Sequence, residues 1–104
     1  MGQELTHRYT HVESGLVENV VIRRTTDTEP YPSGWKYTFH LGTVQDLTLI
    51  RYDNAHEDTK GHELHAAGGE TDVSFSGIEE RLSAFWASAD EYWDAVGGTP
   101  PRPY

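Results

Sequence analysis

From Leu5 to Phe75 bulky and polar residues change places at every second position, segment after segment, and after Ser76 the pattern switches once, to steps of three and four. Side chains alternate between the two faces of a strand and return to one face of a helix every three to four residues. The chain therefore reads as strands first and one helix last. A helix that follows all the strands buries its apolar stripe across a face of their sheet. The expected fold is α+β: a mainly antiparallel five- or six-stranded sheet with one long C-terminal helix packed on one face.

The segments give this outline detail. Leu5 to Val12 sets Leu5, His7, Tyr9 and His11 on one strand face, and after the turn at Glu13-Ser14-Gly15 the β-branched run from Leu16 to Arg24 completes a hairpin. His7 and His11 lie roughly 13 Å apart along a strand, too far to share an ion, and read as surface strand residues. Thr25 to Gly34, with Pro30, Pro32 and Gly34, is a loop. Trp35, Tyr37, Phe39 and Leu41 then form a dry face opposite Lys36, Thr38 and His40. In the next strand, Leu47 to Tyr52, the spacing puts Leu47 and Leu49 on the same face as Arg51 and Asp53. An apolar face that turns charged at its end conflicts with burial, as functional or rim sites do. Glu63 to Ala67 and Glu70 to Phe75 flank Gly68-Gly69 as a last hairpin.

Ser76-Gly77-Ile78-Glu79 has the form of a capping box, with Ser76 as N-cap. Behind it Ile78, Leu82, Phe85, Trp86, Ala89 and Trp93 mark one face of an amphipathic helix of about 18 residues. Gly97-Gly98 ends it. A single domain over 1–104 follows, made of a β-rich region (5–75), the helix (76–96) and a flexible Pro-rich tail (97–104).

The 104 residues carry 17 acids against 8 lysines and arginines, a net charge of −9, with lysine only at positions 36 and 60 and no cysteine. Disulfides and thiolate metal sites are thereby excluded. The acidic, lysine-poor balance reads as a halophilic adaptation, because molar salt shortens the Debye length to about 3 Å and screens self-repulsion. The apolar runs are too short for a membrane span or a signal peptide, so the expected location is the cytoplasm, without membrane contact.

Chemistry concentrates in one stretch. Arg51 to His65 gathers three of the six histidines with an arginine, a lysine and four acids. RNA cleavage without a metal needs a base for the 2′-hydroxyl, an acid for the leaving oxygen and a cation beside the phosphate. Arg51, Asp53, His56, His62 and His65 are the candidate catalytic residues, and Tyr52, Asn54 and Lys60 the candidate binding residues. No cofactor is required. Two other readings stand beside this one. His56, His62 and His65 are close enough in the chain to share a zinc or nickel ion, with Asp58 or Glu63 as an oxygen ligand. Alternatively the protein is a non-enzymatic binder, pairing with itself or another chain through Trp86, Tyr92 and Trp93.

The phrase Arg51-Tyr52-Asp53-Asn54-Ala55-His56, the β-rich front, the His-containing segment with Gly68-Gly69 and the helix with Phe85-Trp86 together resemble the TumE-like proteins of toxin–antitoxin pairs. The resemblance covers most of residues 5 to 95. It implies a small cytoplasmic toxin, with a cognate helix-turn-helix antitoxin as partner; RNA as its target comes from the residues alone. The family phrase carries over to Arg51, Tyr52, Asp53, Asn54 and His56. The next segment departs from the family, whose members place histidine and arginine almost side by side; here Gly61-His62-Glu63-Leu64-His65 has no arginine.

Overall fold

The computed structural model describes residues 4–55, 57–66 and 69–102. Six strands follow one another in space as they do in sequence: β1 (Leu5–His11), β2 (Leu16–Arg24), β3 (Trp35–Thr43), β4 (Thr48–Asp53), β5 (His62–Ala66) and β6 (Gly69–Val73). Every neighbouring pair is antiparallel. A single turn of helix, α1 (Glu57–Lys60), separates β4 from β5, and α2 (Ile78–Val96) closes the fold. The α+β architecture with one long C-terminal helix is as expected. Among the described residues no helix is long and apolar enough to cross a membrane.

The helix lies on one face of the sheet. Val20, Ile22, Phe39, Leu41, Phe85 and Ala89 are fully buried between the two layers, with Tyr37, Leu82 and Trp93 nearly so. Each large apolar side chain removed from water in this way contributes about 1.5–3 kcal/mol. Phe85 is the centre of the contact, its ring 5.7 Å from Phe39 and 6.4 Å from Tyr52. No helix of the described chain covers the other face of the sheet. There the rows run across the strands through Thr6, Val21, Thr38, Asp53 and Glu63, and through Arg8, Asn19, His40, Arg51 and His65.

Four local expectations are corrected. Leu47 and Leu49 do not share a face with Arg51 and Asp53. Leu41 pairs with Ile50 but Gly42 pairs with Thr48, so Leu49 is the extra residue of a β-bulge and packs against the core, while Leu47 is exposed. The dry face of β4 is Ile50 and Tyr52, and a one-residue shift moves every side chain across the sheet. The capping box does not form either. Gly77 is the N-cap, no side chain caps the helix, and the extended, positive-φ backbone of Gly77 (φ 143°) carries the chain into its first turn.

His7 and His11, the third case, are not surface residues. They face the helix, where His7 Nε2 lies 2.9 Å from the fully buried Glu18. Finally, Trp86 and Trp93 offer little to a partner. Trp93 is 1 % exposed and its indole N–H donates to Glu18 at 2.8 Å. The ring of Trp86 sits edge-on to His7 and under the Arg102 guanidinium at 4.4 Å. Only Tyr92 of that trio is exposed. Arg102 also reaches both oxygens of Glu18, at 2.7 and 3.1 Å, and Asp90 at 2.6 Å, which ties the chain after the helix back to β2.

Candidate functional site

Strand β4 ends in alternating partners. Arg51 and Asp53 point to the open face, while Tyr52 points to the helix. On β5 the same alternation sends Glu63 and His65 to the open face and His62 to the helix side, since Arg51 pairs with His65 and Asp53 with Glu63. Of the candidate catalytic residues, Arg51, Asp53 and His65 thus share one face of the sheet and His62 stands on the other. His56 lies outside the described residues, as does the side chain of Lys60.

On the open face Arg51, Asp53, Glu63 and His65 converge. Arg51 Nε donates to Asp53 Oδ2 at 3.0 Å, and His65 Nε2 lies 3.4 Å from the same oxygen. The other Asp53 oxygen accepts the Ala55 N–H at 3.2 Å, which fixes the carboxylate at the turn that leaves β4. Asp53 and Glu63 are buried, whereas the Arg51 side chain is 40 % exposed and that of His65 21 %. One ligand atom each from Asp53, Glu63 and His65 lies within 4.8 Å of the others. Beside them opens a shallow cleft of about 350 Å³ lined by Thr48, Arg51, His65, Ala66 and Gly69. An imidazole, a carboxylate and a guanidinium therefore meet beside a cleft open to solvent.

His62 belongs to a second cluster, under the helix. Its ring stacks on Phe75 at 4.1 Å, its Nδ1 is 2.8 Å from the Tyr37 hydroxyl and its Nε2 is 3.3 Å from Glu57. Burial lowers the pKa of His62, opposed by Glu57 and aided by Arg81. A neutral ring with its proton on Nε2 satisfies both neighbours. Burial alone raises the Glu57 carboxyl, but hydrogen bonds from Ser33 and Asn54 outweigh it and hold the group below its ordinary value. Burial pushes the Tyr37 phenol well up. Since His62 and His65 stand on opposite faces of β5, they do not share an ion.

Two candidate binding residues serve the fold instead. Asn54 is fully buried; its side-chain oxygen accepts the Tyr37 N–H at 3.0 Å, and its amide donates to Trp35 O at 2.7 Å and Glu57 at 2.6 Å. It continues the β3–β4 ladder past the end of β4. Tyr52 is buried against Phe85 with the Arg81 guanidinium 5.0 Å from its ring centre, so it offers no surface for stacking on a base. Sequence reasoning misses Glu57 and Arg81, and names Glu63 only as an oxygen ligand for a metal held by the histidines. Its place beside His65 is legible, because two residues before His65 in a strand is the same face.

A family model described as Toxin TumE matches residues 3–92. No curated protein and no solved structure matches the chain.

Proposed function

Because the chain belongs to the TumE family of toxins, we propose that it is the toxin of a type II pair, checked by a cognate helix-turn-helix antitoxin, and that it acts by cleaving RNA. The observation that carries this reading is the convergence of Arg51, Asp53 and His65 beside the open-face cleft. His65 moves the proton, with Asp53 orienting its ring. Arg51 spends only Nε on Asp53, and its terminal nitrogens have no partner among the described residues. They are free to meet the non-bridging oxygens of a phosphodiester, where negative charge grows during attack by the 2′-hydroxyl. Glu63 is the second proton carrier. On this reading the products are a 2′,3′-cyclic phosphate and a free 5′-hydroxyl, and no metal is needed.

A second reading has its own observation. Two buried carboxylates and an imidazole with ligand atoms this close suit a divalent cation such as Mn²⁺ or Zn²⁺. Conditional expression of wild type, Asp53→Asn and His65→Ala in a host without the antitoxin, with total RNA followed in cells and with purified protein, separates the readings. Growth arrest with RNA loss that survives chelator and disappears in both variants is the expected result. RNA loss that chelator stops and Mn²⁺ restores favours the metal. Arrest with intact RNA moves the target elsewhere, and a wild type without effect on growth overturns the toxin activity.

A further inference from the structure

We propose that the open sheet face is a track for single-stranded RNA, which crosses the strands along Arg8, Asn19, His40 and Arg51 to reach His65; the inference rests on the RNA-cleavage reading and names how that site takes its substrate.

The cross-strand register makes these five residues one straight row. Arg8 pairs with Asn19, Asn19 with His40, His40 with Arg51, and Arg51 with His65. Neighbouring strands lie about 4.8 Å apart, so the row is about 19 Å long, the reach of a few nucleotides. Two concavities lie along it. One, of about 260 Å³, is lined by Arg8, Asn19 and His40 among others, and the second is the cleft at Arg51 and His65. The two concavities have no lining residue in common; they mark the two ends of the row, the first bordered also by Asp46 and the second by the candidate catalytic group.

Charge selects the occupant. The protein carries −9, yet its acids are not spread evenly. Glu79, Glu80, Asp90, Glu91 and Asp94 stand exposed on the helix. On the open face, the register of β1 to β4 places Arg8, Arg23, Lys36 and Arg51 with one acid, Asp53, whereas that of β5 and β6 adds Glu63, Glu70 and Asp72, so the cationic part of the face is its β1–β4 side. Arg8 is exposed and has no hydrogen-bond or ion-pair partner among the described residues. A row of two arginines, an amide and two imidazoles on an otherwise anionic molecule fits a polyanion's backbone. No phenylalanine, tyrosine or tryptophan stands on this face in β1 to β5, so there is no stacking platform and the contacts fall on phosphates rather than bases. Burial and the nearby Arg51 lower the pKa of His40, which leaves it a neutral hydrogen-bonding group on the row.

The test needs binding and not turnover. Anisotropy of a labelled single-stranded RNA of about 10 nucleotides, within the ~4–16 nucleotide range of comparable grooves, is titrated with wild type, Arg8→Ala, Arg8→Glu and Arg8→Lys across a chloride series. At the lowest salt Arg8→Ala should weaken binding about 5- to 10-fold, with the log–log salt slope falling by roughly 0.7. Arg8→Glu should weaken it further and Arg8→Lys should keep most of it, at unchanged melting temperature. RNA of unrelated sequence should bind equally. Equal affinity of wild type and Arg8→Ala overturns the track even if wild type cleaves RNA. Arg8-dependent binding without cleavage upholds the track while the nuclease reading falls. Poly-glutamate that displaces the RNA at equal charge and shows the same Arg8 dependence overturns RNA as the occupant in favour of an acidic protein segment.

Discussion

Glu18, in the edge strand pair β1–β2, faces the helix. It is fully buried, and donors from His7, Trp93 and Arg102 surround its two oxygens, so β1, β2, the helix and the tail meet at one carboxylate. Burial alone raises its pKa, but the hydrogen bonds from Arg102, Trp93 and His7 outweigh it, and the group sits below its ordinary value of 4.5. A depressed carboxylate binds its proton less readily folded than unfolded. The stability it contributes is complete above about pH 4.5 and is lost as pH falls through its lower folded-state value. Glu18→Ala leaves three donors without an acceptor, and the expected cost is about 3–5 kcal/mol. Denaturant titrations at a series of pH values check both statements. Glu18→Gln should remove the part of the acid sensitivity below pH 4.5 that belongs to this group, and an unchanged profile would count against it.

The helix shows how an element can be held by something other than its sequence signals. Ser76 stands where a capping serine belongs, but the helix starts at Ile78 with Gly77 as N-cap and no side-chain bond. Ser76→Ala should therefore cost less than about 0.5 kcal/mol, below the ~1 kcal/mol typical of a working cap. The other end is tightly fitted. Gly97 takes the left-handed conformation (φ 72°), its N–H and that of Gly98 return to Trp93 O, and a Cβ at Gly98 would run into the Trp93 indole. That indole is fixed by its bond to Glu18 and has nowhere to move. Gly98→Ala should cost about 1–3 kcal/mol, measured by denaturant midpoints beside Ser76→Ala; equal costs for the two would contradict this account.

The molecule as a whole is electrically two-sided. Exposed acids cover the helix, and the sheet's open face is the less acidic side. With a net charge of −9, self-repulsion opposes the folded state in dilute buffer and is screened in molar salt. The melting temperature should rise between about 0.1 and 1 M chloride, as the Debye length falls from ~10 to ~3 Å. A flat or falling series rejects the halophilic reading. The same screening limits the RNA track at high salt to phosphates in direct contact with Arg8 and Arg51, because longer-range attraction is gone.

The sequence by itself determined a sheet of five or six strands, its mainly antiparallel pairing and the place of the helix. Each rests on a local period: Trp35, Tyr37, Phe39 and Leu41 alternate cleanly, and Ile78, Leu82, Phe85 and Ala89 recur on one side of a helix. It also brought attention to Arg51, Asp53 and His65, since unlike residues crowded at a strand end are visible without coordinates. What only the tertiary structure decided was which side each residue serves. The bulge at Leu49 sets the faces of β4, and the pairing of β4 with β5 sends His62 to the helix side of the sheet and leaves His65 with Asp53. Asn54 and Tyr52 look like site residues in the chain and are buried supports in the fold. A period of 2 fixes which residues share a face but not which face is covered. That depends on where the helix lands and on register, and both are set by contacts between residues far apart in the chain, such as Trp93 with Glu18.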